Sequence, residues 1–175
     1  RRIMPEWSDH PNHDQWMRDH GYQYVGKGYH SIWLSLTGTQ DDLRKRLKQR
    51  WRRSLAKAEK QNLRVVPDPT GESLNWFLKH YMQDRIEKSY SNASPKFLRY
   101  MYKYAYPGRE AFILTAFSGQ DAVASILIFV HGTSATYQVG WTTDQGRNKN
   151  AMFFLMWQAM LVMQGRGVTD FDLGG

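Results

Sequence analysis

Apolar residues recur at helical spacing inside the most basic stretch of the chain. Seven of the ten residues from Arg44 to Arg53 are basic. One narrow apolar face survives among them, formed by Leu43, Leu47, Trp51, Leu55 and Ala58. This spacing predicts a helix that docks on a core and turns its cations outward. Thr39 and Asp42 stand where a capping box starts such a helix.

Shorter elements flank the basic helix. The alternating run His30–Leu36 predicts a strand, and Leu63–Val66 predicts a second, closed by the turn sequence PDPTG. Residues 1–21 are polar and rich in histidine, so we expect no core of their own there. Their histidines follow no metal-ligand spacing, and we expect them to be solvated, with no metal site.

Two further helices are predicted in the middle of the chain. The first begins near Glu72, and its apolar face is formed by Leu74, Phe77, Leu78 and Tyr81. The second begins at Ser94, a hydroxyl N-cap followed by Pro95 at the first helical position. Its aromatic stripe is predicted to pack in the core and consists of Phe97, Tyr100, Met101 and Tyr104.

The period then changes to that of strands. Ala111–Phe117, Ala122–Val130 and Ala135–Trp141 are β-rich runs separated by short polar turns, which predicts an antiparallel meander. A helix apolar on nearly all sides follows from Ala151 and ends at Gly165, so we expect it to be buried. A last strand in VTDFDL completes an α+β fold with a mixed sheet. Its closing glycines, at positions 174 and 175, are expected to permit a tight turn.

Composition favours a polyanionic partner and one main domain. The 175 residues carry 24 Lys plus Arg against 16 Asp plus Glu, a net charge of +8, and the pI is about 9.7. Such a charge suits nucleic acid, an anionic membrane surface or a phosphorylated substrate. Cysteine is absent from the sequence, which excludes disulfides and thiolate chemistry and fits a reducing compartment. No apolar run approaches the length of a membrane span.

The order of these elements resembles the acyltransferase fold of the GNAT superfamily, and particular sequence segments resemble those of its FemABX family. They are the run Gln49–Val65, the arginine of YMQDRIEKSY, and ATYQVGW followed by a Trp-bearing helix and GVTDFDLGG. The resemblance implies a GNAT-like sheet, mixed and mostly antiparallel, flanked by helices. It covers residues 22–175 as a domain incomplete at its C-terminus, after a linker or domain tail in residues 1–21. Acetyltransferase-like proteins that act in polysaccharide and exopolysaccharide systems share these sequence segments.

What the resemblance implies about activity is transfer of an amino acid from aminoacyl-tRNA to the side-chain amine of a peptidoglycan stem peptide. The acceptor would be carried on lipid II or a UDP-linked muropeptide, and the protein would be cytoplasmic, in peripheral contact with an anionic membrane surface. An amine attacking an activated ester needs oxyanion stabilisation and proximity, but neither a metal nor a covalent intermediate. We therefore expect no cofactor beyond the tRNA co-substrate.

Candidate site residues follow from the resemblance and from residue chemistry. Arg85, carried over from the family, is expected to bind phosphate, with Arg52 and Arg53 as helpers in one shared cleft. The carboxylates of Asp170 and Asp172 share one strand face and are candidates to receive or orient the substrate amine.

Three further side chains, Tyr137, Trp141 and Lys149, are candidates for the wall of the substrate groove. Each candidate also has a structural reading: a salt bridge of Arg85 with Asp84 or Glu87, turn capping by the aspartates, and core packing of the aromatics.

Two rival functions stay open on the sequence. One is an acyl-CoA-dependent N-acyltransferase of polysaccharide or cell-envelope biosynthesis, whose pyrophosphate would need free backbone amides in the loop DQGRNKNA. That loop holds one glycine. The other is a non-catalytic module in which the basic helix alone binds RNA or a membrane surface. Whether the backbone amides of this loop are free or hydrogen-bonded discriminates between a CoA-dependent and a tRNA-dependent enzyme.

Overall fold

The computed structural model describes residues 11–23, 31–68 and 70–174. A compact unit spans Ile32–Gly174, and helix α1 (Pro11–Asp19) belongs to a separate unit. The predicted boundary after residue 21 stays a prediction. Within the described ranges, no helix is both long and apolar enough to cross a membrane.

The compact unit is a six-stranded sheet with helices on both faces. Its strands are β1 (Trp33–Ser35), β2 (Leu63–Asp68), β3 (Ala111–Ser118), β4 (Asp121–His131), β5 (Ser134–Thr142) and β6 (Asp170–Asp172). Its helices are α2 (Gln40–Arg46), α3 (Gln49–Ala58), α4 (Leu74–Lys88), α5 (Pro95–Ala105), α6 (Asp144–Asn148) and α7 (Ala151–Gly165). The strand order is β1-β6-β5-β4-β3-β2, and every neighbouring pair is antiparallel except β5 and β6. The predicted α+β class, mixed sheet and meander are confirmed.

Alternation along the central strands creates two cores. On β4, Ile126 and Ile128 pack with α2, α3 and α7, whereas Leu127 and Phe129 pack with α4 and α5 on the opposite face. Because side chains of a strand alternate between the two faces, the sheet separates the helices into two layers. Helix α7 contacts both the sheet and α3, which explains its apolar composition on nearly all sides.

The basic stretch forms two helices, so the prediction of one continuous helix is wrong. Leu47 and Lys48 have extended backbone, with ψ of 140° and 145°, and separate α2 from α3. The predicted cap is present: the Asp42 amide donates to Thr39 Oγ1 over 3.2 Å, and the Thr39 amide donates to Asp42 Oδ2 over 3.0 Å. Leu47 stays only 8% exposed. The apolar face is therefore kept although the helix breaks inside it.

Helix α5 uses a different face from the one predicted. Phe97, Tyr100 and Tyr104 are 54%, 54% and 72% exposed, whereas Leu98 and Tyr102 are buried. The sequence of α5 holds two overlapping stripes at helical spacing, one residue apart. Periodicity alone does not distinguish them, and the stripe of larger aromatic residues is the one that faces outward.

Strands β1 and β6 are shorter than predicted. Strand β1 covers only the second half of the run predicted from residue 30, whose first residue lies outside the described ranges. Strand β6 covers three residues and pairs with both β1 and β5. Gly174 has a φ of +74°, which agrees with the predicted tight turn, and Gly175 lies outside the described residues.

Candidate active site

The parallel strands β5 and β6 pair over a short stretch and then diverge, which leaves a gap within the sheet. They pair only between Ser134–Thr136 and Asp170–Asp172, and no described strand covers that side of β5 from residue 137 to 142. A bulge falls at Gln138, because Tyr137 pairs with Ile128 while Val139 pairs with Leu127. No described strand therefore pairs with the backbone N–H and C=O groups along this edge, although the Thr142 carbonyl accepts a 3.0 Å hydrogen bond from Arg147 Nη1.

Tyr137 lies at this divergence, and its place in a substrate groove stays a prediction. A Cβ atom added to Gly140 would lie 2.8 Å from the Tyr137 hydroxyl, so the hydroxyl sits directly over that glycine. Burial, and secondarily the Asp84 carboxylate, raise the pKa of Tyr137 to about 12. The phenol is therefore protonated at neutral pH and can donate a hydrogen bond.

Arg85 carries a half-buried guanidinium that has few hydrogen-bond acceptors in the described part of the chain. Its one hydrogen bond there is a 3.4 Å contact to the Ala93 carbonyl, and its buried Nε has no partner. The guanidinium carbon lies 5.8 Å from the centre of the Tyr81 ring. Because a buried donor without a partner is costly, this geometry favours an anionic ligand over a structural role.

The alternative salt bridge of Arg85 is not formed within the described residues. Asp84 pairs instead with Lys88 and accepts a 3.1 Å hydrogen bond from the Tyr90 hydroxyl. Glu87 accepts a hydrogen bond from Gln83. Burial and the nearby Asp84 carboxylate raise the pKa of Tyr90, which keeps this phenol neutral as well.

Asp170 and Asp172 point to the α4 side of the sheet, because Phe171 between them is buried in the α7 core. Asp172 accepts a 2.9 Å hydrogen bond from the Gly174 amide, and Asp170 accepts a 2.7 Å bond from the Thr169 hydroxyl. Asp172 thus braces the local backbone and Asp170 holds a neighbouring side chain, and both carboxylates keep further acceptor capacity. Asp172 is paired with Thr136, the residue before Tyr137.

Trp141 and Lys149 do not line the divergence. Trp141 is only 3% exposed and belongs to the α4 core, where it contacts Trp76 and His80. Its predicted position in a groove wall is corrected to core packing, since the sheet face at the end of β5 is covered by α4. Lys149 Nζ donates over 2.7 Å to the Ser118 hydroxyl, which ties the segment after β5 to the end of β3.

Arg52 and Arg53 lie apart from Arg85. They belong to α3, which packs in the α7 layer, whereas Arg85 belongs to α4 on the opposite face of the sheet. Arg52 donates over 2.8 Å to the carbonyl of Lys45 and so fastens the break between α2 and α3. The prediction that the three arginines gather in one cleft is therefore wrong, because the sheet stands between them.

Sequence reasoning missed a groove of about 660 Å³ between the first half of α4 and strands β2–β4. Trp76, His80, Phe117 and Asp68 are among its lining residues. His80 Nδ1 lies 2.9 Å from the Trp76 carbonyl and must donate to it, whereas Nε2 has no hydrogen bond to the described residues. The turn sequence PDPTG before α4 was the available signal, but it predicts only a helix start.

A comparison with protein-family models matches residues 42–175 to the acetyltransferase (GNAT) domain. The chain belongs to the GNAT acetyltransferase family. The parallel strands of this sheet are β5 and β6, and the segment that follows β5 leads through α6 into α7. No curated protein sequence matches this GNAT chain significantly.

Solved structures share the fold at low sequence identity. FemX matches with a TM-score of 0.78 and 12% identity, over 94% of this chain and 60% of FemX. L-PGS from Bacillus licheniformis matches with a TM-score of 0.61 and 17% identity, over 93% of this chain and 49% of that one. The C-terminal domain of a putative lysylphosphatidylglycerol synthetase from Agrobacterium fabrum gives 0.56 and 15%, over 83% and 46%. The GNAT chain thus spans 60% or less of each of these proteins.

The segment between β5 and α7 of this GNAT domain hydrogen-bonds mainly to itself. The Gly146 amide donates to the Thr143 hydroxyl over 3.1 Å, and the Arg147 amide donates to the Thr143 carbonyl over 2.9 Å. The amides of Lys149 and Asn150 also donate within the segment. Helix α6 therefore occupies the position where a loop would present free amides to a pyrophosphate.

Among residues 11–23, 31–68 and 70–174, no group of three or more His, Asp or Glu side chains is arranged to hold a metal ion.

Proposed function

We propose that this protein transfers an aminoacyl group from aminoacyl-tRNA to the amine of a peptidoglycan stem-peptide precursor. The precursor is carried on lipid II or on a uridine diphosphate. Membership of the GNAT family supports acyl transfer, and the folds of FemX and L-PGS support an aminoacyl donor and an acceptor of the cell envelope. Because this chain spans 60% of FemX, the proposal concerns the whole protein.

The observation that carries the proposal is the unsatisfied guanidinium of Arg85 on α4, the helix that contacts β5, whose pairing with β6 ends at the divergence. The buried Nε of Arg85 lacks a hydrogen-bond partner among the described residues. The carboxylate of the adjacent residue, Asp84, contributes to the raised pKa of the Tyr137 hydroxyl at that divergence. A planar guanidinium with free N–H groups matches phosphate oxygens in two-point contacts. Arg85 would therefore hold the diphosphate of the acceptor close to the reacting amine.

The opposite layer supplies a surface for the tRNA. Six exposed cations of α2, α3 and their flanks make no side-chain ion pair or hydrogen bond with the described residues: Lys45, Lys48, Arg50, Arg53, Lys57 and Lys60. Exposed, unpaired cations are those that release counterions on binding a nucleic-acid backbone. The internal bonding of the segment after β5 disfavours CoA as the donor.

The chemistry is attack by a neutral amine on the ester carbonyl of the aminoacyl-tRNA. The new C–N bond forms as the C–O bond to the tRNA ribose breaks, and the amine proton is passed to the leaving hydroxyl. The Tyr137 phenol and the uncovered backbone amides of β5 would donate to the oxyanion. Asp172, beside Thr136, would accept one proton from the ammonium and release it to solvent, which leaves the neutral amine. It would then pass the proton lost on attack to the leaving ribose oxygen.

Mass spectrometry of the acceptor tests the proposal. The full-length protein is incubated with a stem-peptide precursor and either charged tRNA or acetyl-CoA. We expect one aminoacyl residue to be added with charged tRNA and no change with acetyl-CoA. Acetylation of the precursor would establish the CoA reading instead. An unmodified acceptor in both reactions, with tRNA bound normally, would favour the non-catalytic module.

A further inference from the structure

Helix α5 presents a continuous aromatic and cationic surface to solvent. The exposed aromatic residues Phe97, Tyr100 and Tyr104 are spaced three and four apart, so they form one stripe along the helix. Lys96 and Lys103 are also exposed and run beside this stripe. We call these five side chains the α5 face. No acidic residue occurs in α5, so the α5 face is uniformly positive.

The neighbouring helix α4 also exposes aliphatic side chains. Met82 and Ile86, one turn apart on α4, are 40% and 60% exposed. Arg99 of α5 donates over 3.0 Å to the Asn75 side chain of α4, which fixes the two helices to each other. Exposed apolar side chains gathered on one layer of a domain mark an interaction surface.

We propose that the α5 face, with the exposed side chains of α4, is the surface by which this protein lies on an anionic lipid bilayer. Aromatic side chains flanked by lysines are typical of helices that lie in the headgroup region of a membrane. The aromatic rings would enter the acyl boundary, and the lysine ammonium groups would remain at the level of the phosphates.

Two observations favour a bilayer over single-stranded nucleic acid as the occupant. Bases stack on aromatic rings, but the aliphatic residues Met82 and Ile86 offer no stacking surface and suit acyl chains. The second observation is that the cations of α2 and α3, on the other face of the sheet, already supply a hydrophilic surface for phosphates. The protein would thus hold a membrane on one side and tRNA on the other.

Co-sedimentation with vesicles tests this inference without any substrate, so its outcome is independent of aminoacyl transfer. The probes are vesicles of phosphatidylcholine alone and of phosphatidylcholine with phosphatidylglycerol. We expect the wild-type protein to sediment with the anionic vesicles and to be released by salt. A wild-type protein that stays in the supernatant with both vesicle types would overturn the proposal, for instance because another part of the protein covers α5.

Paired variants locate the binding surface. Replacing Phe97, Tyr100 and Tyr104 together by serine is expected to lower the partition coefficient at least about 100-fold, because the apolar insertion is lost. Lys96→Gln with Lys103→Gln is expected to lower it ~30-fold, about fivefold for each lysine. The control pair Lys57→Gln and Lys60→Gln should leave vesicle binding unchanged.

The same variants distinguish lipid from RNA. Circular dichroism and thermal melting should show that the aromatic triple variant is folded, since its replaced side chains are exposed. Its affinity for tRNA should equal that of the wild type. A triple variant that loses tRNA binding but keeps vesicle binding, or a Lys57/Lys60 control variant that loses vesicle binding, would contradict the assignment of the α5 face to a membrane.

Discussion

Replacing Asp68 with asparagine removes the charge that anchors the start of α4, the helix that carries Arg85. The Asp68 carboxylate accepts five hydrogen bonds, from the amides of Thr70, Gly71 and Ser73 and from the hydroxyls of Thr70 and Ser73. Its shortest contacts are 2.5 Å to Ser73 Oγ and 2.8 Å to the Ser73 amide. An asparagine offers one acceptor oxygen and no charge, so most of this network is lost.

The magnitude follows from the pKa. Burial alone would raise the pKa of Asp68, but the hydrogen bonds from Ser73 and Thr70 outweigh it and lower the pKa from 3.8 to about 2. At about 1.4 kcal/mol per pKa unit, and discounted for partial exposure, the charged form stabilises the fold by about 2 kcal/mol. A lowered pKa gives stability that is fully present above pH ~4 and is lost as the pH falls towards 2.

Urea denaturation followed by tryptophan fluorescence at pH 7 and pH 3 measures this contribution. Asp68→Asn should lower the free energy of unfolding by about 2 kcal/mol at pH 7 and by about 1 kcal/mol at pH 3. Asp121→Asn, at an exposed carboxylate without a hydrogen bond to described residues, serves as the matched control. A variant whose deficit is as large at pH 3 as at pH 7 would refute the assignment of the effect to the Asp68 charge.

Three further substitutions test other parts of the site. Gly140→Ala should cost about 1–3 kcal/mol of unfolding free energy in urea, because its Cβ would lie 2.8 Å from the carbonyl oxygen of Ser125; an unchanged midpoint would contradict that packing. Arg44→Ala should cost only about 0.5 kcal/mol, since its pair with Glu59 is one-third exposed, and double-mutant cycles check the value. Tyr137→Phe should slow single-turnover transfer about 10- to 100-fold with unchanged stability; an equal rate would remove the phenol from the oxyanion site.

Local chemistry made much of the fold predictable. The capping box at Thr39, the proline after Ser94 and the alternation along the meander each depend on neighbouring residues, so their structures agree with prediction. Arg85 and Tyr137 were both named from sequence, and their roles in binding stay predictions. The confirmed elements rest on residues whose environment is fixed within a few positions of the chain.

The failures concern long-range geometry. The helix break at Leu47 has no glycine or proline that would predict it. The Arg52 side chain bridges the break by donating to the Lys45 carbonyl, a contact that exists only in the folded chain. The core face of α5 is set by how α5 packs on the sheet, which periodicity leaves open by one residue. The separation of Arg53 from Arg85 depends on which face of the sheet each helix covers.

The most direct test of the central claim is calorimetric titration of the UDP-linked stem-peptide precursor into the wild-type protein and into Arg85→Ala. If the unsatisfied guanidinium holds the acceptor phosphates, Arg85→Ala should raise the dissociation constant of the precursor about 10- to 100-fold while the fold stays intact. Arg53→Ala, a charge-matched change on the opposite face of the sheet, should leave the affinity unchanged. Wild-type affinity in Arg85→Ala would contradict the account.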